Sequence, residues 1–235
     1  MSTTLAYTRK TRGRKPPSAE SMTSASTREK LVEAAGPVFA RHGYHAATVR
    51  EIARHAGANV AAVNYHFGDK LGLYTEVLRQ SIQAAKLEAI NNALNRSGSP
   101  EEVLRGVIRA RLQNVSGDQL SDWHFRIMVH ELAQPTPALS RVVNEVSRPV
   151  YERLLQLIGM ILGLPPDNEK TRLCAHSVMG QILIYFLAAP LLVRLWPELK
   201  MTPDQVDRIA EHVADFSLAY LRGFRAAPGS PLHAR

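Results

Sequence analysis

From Asn59 to Phe67 the chain reads Asn-Val-Ala-Ala-Val-Asn-Tyr-His-Phe, an acid-free run with Asn64, Tyr65 and His66 in consecutive positions. An amide, a phenol and an imidazole can bond base edges or phosphate oxygens, while small Ala61 and Ala62 permit close approach and can touch thymine methyls. That chemistry suits nucleic acid. Elsewhere the residue types that carry covalent or metal chemistry are scattered. No His-Glu-x-x-His run, phosphate loop, Gly-x-Ser-x-Gly elbow or Cys-x-x-Cys pair occurs, so no catalytic residue, metal ligand or cofactor is predicted. His130 and Glu131 are adjacent and point different ways on a helix, so by themselves they cannot form a metal pair. The single cysteine, Cys174, excludes an intrachain disulfide.

The elements that must position the run are equally plain. Thr48-Val49-Arg50-Glu51 has the form of a capping box and opens a short helix with Val49, Ile52, Ala53 and Ala56 inward, stopped by Gly57. Asn59 can cap the next helix, with Val60, Val63 and Phe67 inward and Ala61, Ala62, Asn64, Tyr65 and His66 outward. Two short helices joined by a three-residue turn make a helix-turn-helix, whose second helix can enter a major groove. Ahead of it, Leu31, Ala35, Val38 and Phe39 predict a helix from Thr27 to Gly43, kinked after Gly36 by Pro37. Behind it, Gly68-Asp69 caps a fourth helix expected to run to about Asn95.

The 29 Lys and Arg exceed the 21 Asp and Glu by eight, and the excess is uneven. Residues 1–26 hold five bases and one acid, a net +4, whereas residues 27–78 are nearly neutral at +1. Rich in Ser, Thr, Pro and Gly, residues 1–26 are expected to form a flexible basic arm able to release counterions along phosphates. Within it Arg12-Gly13-Arg14-Lys15-Pro16 resembles the core of AT-hook peptides, which would set Arg12 and Arg14 along a narrow minor groove.

The rest of the chain predicts only helices, and the fold class is all-α. Ser99-Pro100-Glu101-Glu102, Ser121, Thr136-Pro137, Asp167 and Thr202-Pro203 mark starts; Pro149 and Pro190 mark breaks. The longest apolar stretch, Met179 to Val193, is interrupted by Gln181 and Pro190, too short for a convincing membrane span. With no apolar segment after the N-terminal bases, no secretory signal is expected, and the expected location is the cytoplasm. The domain plan is an arm over 1–26, a DNA-binding unit over 27–78, a helical ligand-binding and dimerisation unit over 79–225, and a tail over 226–235. Trp123, Met128, His130, Glu131, Tyr151, His176, Gln181 and Tyr185 are candidates to line a ligand pocket. Ile182, Phe186, Val213, Phe216, Ser217 and Tyr220 are candidates for a helix-on-helix interface, because the helix around Ile182 is apolar on all sides.

Residues 27–78, above all Gly43-Tyr44, Thr48-Val49-Arg50-Glu51-Ile52-Ala53, Ala56-Gly57 and Tyr65-His66-Phe67-Gly68-Asp69-Lys70, resemble the DNA-binding domain of TetR-family transcriptional regulators. The resemblance implies a homodimer reading a palindromic DNA operator, released when a small molecule binds the C-terminal half, with a two-fold four-helix interface. It also implies that Thr48 and Lys70 contact phosphates while Ala62, Asn64, Tyr65 and His66 face DNA. Asn64 stands where the family often has tyrosine, and Val60-Ala61 where Lys-Gly is common, so the operator sequence does not carry over. His130-Glu131-Leu132, Pro149-Val150-Tyr151-Glu152-Arg153 and His176 to Gln181 are similar to a subgroup with a CecR-like C-terminal domain, often linked to efflux and drug tolerance. A rival reading is a constitutive or architectural DNA binder without an effector.

Overall fold

The structure, a computed structural model, describes residues 19–84, 87–113 and 123–226. The described residues form α1 (Ala19–Ala46), α2 (Val49–His55), α3 (Val60–Phe67), α4 (Lys70–Ala84), α5 (Leu87–Leu94), α6 (Pro100–Leu112), α7 (Trp123–Ala133) and α8 (Pro137–Val142). A π-helical turn (Val143–Ser147) then leads into α9 (Arg148–Leu162), followed by α10 (Glu169–Leu187), α11 (Ala189–Leu195) and α12 (Pro203–Ala226). No strand occurs among the described residues.

Local caps account for most of the starts. Thr48, Asn59, Ser99, Thr136 and Asn168 each accept a backbone N–H of the first turn through a side-chain oxygen, each such cap contributing about 1 kcal/mol. At Ser99 the box is complete, with Glu102 bonding back to the Ser99 N–H. At Thr48 the Glu51 carboxylate lies 3.6 Å from His42 Nε2 instead.

Several boundaries differ from expectation. α1 begins at Ala19 rather than Thr27, because no Gly or Pro separates Ser18 from Ala35 to stop the helix running back toward the N-terminus. Pro37 stays inside α1, and the one departure from helical backbone is at Gly43, with φ 71° and ψ 174°. That positive φ, open to glycine, turns the chain toward α2. The segment expected as one helix to Asn95 is described as α4 and α5. Pro149 opens α9, and the bend ahead of it takes the form of the π-helical turn. α10 and α11 meet at 80° across Ala188, two residues before Pro190. No single described helix is long and apolar enough to cross a membrane.

Two hydrophobic clusters hold the chain together. The first joins Leu31, Phe39, Ile52, Val63, Tyr74 and Leu78 to Ile127, Ala138 and Val142. The second gathers Leu104, Ile108, Ile158, Val178, Val206 and Leu218 from α6, α9, α10 and α12. Packing therefore does not divide at residue 79. α7 and α8 cover α1 and α4, whose apolar faces extend beyond the small α2–α3 unit they brace.

Candidate nucleic-acid interface and internal cavity

α3 presents two opposite faces. Ala62, Val63, His66 and Phe67 turn inward to differing depths, with Val63 fully buried against the first cluster. Val60, Ala61, Asn64 and Tyr65 form the exposed row, and Tyr65 is 80% exposed. Three expectations are corrected here: Val60, expected inward, stands out, while Ala62 and His66, both expected outward, are half-buried, Ala62 packing on the core. An i, i+1, i+4, i+5 stripe puts positions 62, 63, 66 and 67 on one side and 60, 61, 64 and 65 on the other. His66 is half-buried with its ring centroid 4.9 Å from that of Tyr65.

The surroundings fix this helix and supply cations. Arg28 lies 5.3 Å over the Phe67 ring and pairs with Glu76 at 3.1 Å, tying the end of α3 to α1 and α4. The exposed Thr48 accepts the Glu51 N–H at 3.2 Å, which leaves its own hydroxyl hydrogen for an outside acceptor. Lys70 donates to the His45 carbonyl at 3.0 Å and sits 4.8 Å from the Tyr44 ring centroid. Burial pushes its pKa down from the ordinary lysine value. An ammonium has three donors, so it can keep that carbonyl and still reach a phosphate. Arg50 and Arg54, one turn apart on the exposed side of α2, were missed among the sequence candidates although their i, i+4 spacing announces them. Arg12 and Arg14 lie outside the described residues, as does Ser121.

In the C-terminal half a cavity of about 210 Å³ lies between α4, α5, α6, α7, α9 and α10. Of the eight pocket candidates, Met128 and Tyr151 line it. The others have different work. Trp123 packs against Gly36 of α1 so closely that a Cβ there would come within 2.6 Å of the indole. His130 Nε2 lies 3.1 Å from the Ala40 carbonyl. Glu131 is fully buried; its carboxylate accepts from the Tyr74 hydroxyl at 2.6 Å and from the Thr136 N–H and hydroxyl at 2.7 and 2.9 Å. Burial, and next the Glu131 carboxylate, push the Tyr74 pKa upward, so its proton stays in that bond. His176 is exposed, its Nε2 2.9 Å from the Tyr151 hydroxyl. Gln181 donates to Ser217 at 3.2 Å, and Tyr185 packs on the second cluster. The sequence candidates missed Arg111, Ser147 and Ile82 in the cavity wall.

Outside that cavity, α10 and α12 border a groove of about 420 Å³ lined in part by Leu173, Ser177, Gln181, Phe216, Ser217 and Tyr220. Phe216 and Tyr220 are 63% and 52% exposed. Ile182 and Val213, expected at an interface, are buried in the protein's own core, and Phe186 packs against it.

Comparison with known proteins agrees with this architecture. Residues 31–77 match the family described as bacterial regulatory proteins, tetR family, and residues 100–221 match the C-terminal domain of the HTH-type transcriptional dual regulator CecR. CecR of Shigella flexneri is 28% identical over 171 residues, covering 68% of this chain and 75% of that protein. The HTH-type transcriptional repressor BepR of Brucella suis biovar 1 is 25% identical over 169 residues, covering 68% and 77%. In fold, the chain is similar to FadR from Bacillus subtilis in complex with stearoyl-CoA, at a TM-score of 0.60 and 18% identity, covering 81% of this chain and 97% of that one. Members of the matched family are DNA-binding transcriptional regulators that act as dimers, and they are not enzymes. With an exposed, acid-free α3 braced at one end and a CecR-type helical half at the other, the chain belongs to the TetR family of bacterial transcriptional regulators.

Proposed function

We propose that this protein is a repressor that binds a palindromic operator as a homodimer and leaves it when a small molecule fills the cavity beside α4. The exposed row of α3 carries this reading: Asn64 and Tyr65 project from a helix whose opposite face is locked by Val63. Each protomer would place that row in a major groove, with half-sites about one helical turn of DNA, or a multiple of it, apart. Thr48, Arg50, Arg54 and Lys70 would hold phosphates, and Arg12 and Arg14 the flanking minor groove. Phe216 and Tyr220 on α12, with the exposed side of α10, would form the two-fold interface.

Release follows from how α4 is placed. Its first turns pack against α3, and Ile82 near its far end is part of the cavity wall. A ligand that displaces Ile82 would tilt α4 and carry α3 with it, spoiling the spacing of the paired helices. FadR from Bacillus subtilis, which shares the fold, was solved in complex with stearoyl-CoA, and that supports a small-molecule effector. The subgroup resemblance adds efflux and drug-tolerance genes as the first targets to test.

Selection of DNA from a random pool by the full-length protein, followed by footprinting, tests the reading. The wild type is expected to select a palindrome. The double substitution Asn64→Ala, Tyr65→Ala is expected to weaken binding about a hundredfold or more while the dimer persists, since each lost base contact is worth about 1–3 kcal/mol in each half-site. Undiminished protection by the variant would overturn the role of α3. Selection of DNA without a shared sequence would favour an architectural binder.

A further inference from the structure

The exposed row of α3 holds a side chain whose hydrogen-bonding groups the protein itself does not use. Asn64 is exposed, and among the described residues its amide has no hydrogen-bond partner. By contrast, Asn59 and Asn168 cap helices through their side-chain oxygens, Asn91 and Asn95 accept from Arg153, and Asn144 accepts from Arg148. The neighbours of Asn64 on the row differ from it in kind. Val60 and Ala61, one turn before it, are apolar. Tyr65 carries a single hydroxyl, on a ring set edge-on to His66 with the planes at 82°.

An amide reads base edges by pattern, because it sets a donor beside an acceptor in one plane. In the major groove adenine alone offers the complement, an N6 amino donor beside the N7 acceptor. Guanine offers two acceptors there, and cytosine and thymine one hydrogen-bonding group each. The thymine paired with that adenine adds a methyl on the same edge, which suits an apolar flank such as Val60 or Ala61. Placement matters as well. Val63 is fully buried and Arg28 lies over the Phe67 ring, so α3 is held at one rotational phase and Asn64 stays on the outer side. Ala61 beside it is small enough to let a base edge come close to the helix.

We infer that Asn64 sets a base preference of this protein: each operator half-site holds an adenine read through N6 and N7 by the Asn64 amide, with the paired thymine methyl against Val60 or Ala61. This rests on α3 being the helix that enters the groove. Contacts of Thr48, Arg50, Arg54 and Lys70 with phosphate would position α3 without choosing a base.

Selection from a random DNA pool by full-length wild type, Asn64→Ala and Asn64→Arg tests this. The selected operator is then titrated with 7-deazaadenine, which keeps base pairing but lacks the N7 acceptor, in place of single adenines in both half-sites. The wild type is expected to select at least one invariant adenine per half-site and to lose about tenfold or more in affinity when that adenine is replaced. Asn64→Ala is expected to accept all four bases there, to keep its other preferences and to be indifferent to the replacement. Asn64→Arg is expected to choose guanine at that position, since a guanidinium pairs with its O6 and N7. The 7-deazaadenine titration of the wild type decides even where a variant fails to fold. A selection by Asn64→Ala identical to that of the wild type, or a wild type that tolerates 7-deazaadenine at every adenine, would overturn the inference while leaving α3 as the reading helix. If the wild type selects no shared sequence, both the inference and the operator reading fall.

Discussion

A carboxylate with no exposure to water has to earn its place through its neighbours, and Glu131 does so with three donors from α4 and the start of α8. Its position in sequence, beside a histidine on a partly apolar helix, reads equally well as a ligand contact. What decides between the roles is the identity of Tyr74, 57 residues earlier, and no local pattern reveals that pairing. Glu131→Ala would leave the Tyr74 hydroxyl and the Thr136 N–H without their acceptor, and is expected to lower stability by about 3 kcal/mol in chemical denaturation. Glu131→Gln, which keeps the shape but turns one acceptor into a donor, should cost about half as much. An unchanged denaturation midpoint with an altered effector response would instead make Glu131 part of the ligand site.

Helix starts were legible because a cap is a local device: Thr48, Asn59, Ser99 and Thr136 each act on an N–H two or three residues away. Helix faces were legible only where apolar and polar residues alternate in phase. From Ile182 onward α10 is apolar on every side, so nothing in its sequence separates buried Ile182 from exposed Ile184. α12 carries two adjoining stripes that merge in a sequence reading. Val206, Ala210, Val213, Ser217 and Leu221 face the core, while Phe216 and Tyr220 flank them outside. The outward pair gives the expected interface. Substituting Phe216→Glu and Tyr220→Glu together should yield a folded monomer by sedimentation, since neither ring is part of the core. A variant that remains dimeric would move the interface away from α12. Val213→Glu should behave differently and unfold, because it places a charge inside the second cluster.

At the scale of the whole molecule, charge and packing serve separate ends. The α2–α3 unit lies within a nearly neutral segment, while the first 18 residues carry five bases and no acid. Removing residues 1–18 is expected to weaken operator binding most where the flanks are A/T-rich, and to flatten the dependence of affinity on salt by about 0.9 in log-log slope for each cation engaged. Affinity and slope both unchanged would show that the segment takes no part. Among the described helices, α6 belongs to the second core and faces two ways. Its outer side is joined to α12 by Arg105 and Arg109, and its inner side supplies Arg111 to the cavity. Exposed pairs of this kind contribute under about 1 kcal/mol each to stability, but they also hold α6 at one rotational phase. A helix turns about 100° per residue, so loss of the single residue Ala110 would swing the guanidinium out of the wall while leaving every salt link of Arg105 and Arg109 in place. The charge of the cavity wall is therefore more exposed to insertions and deletions in α6 than to substitutions around its rim.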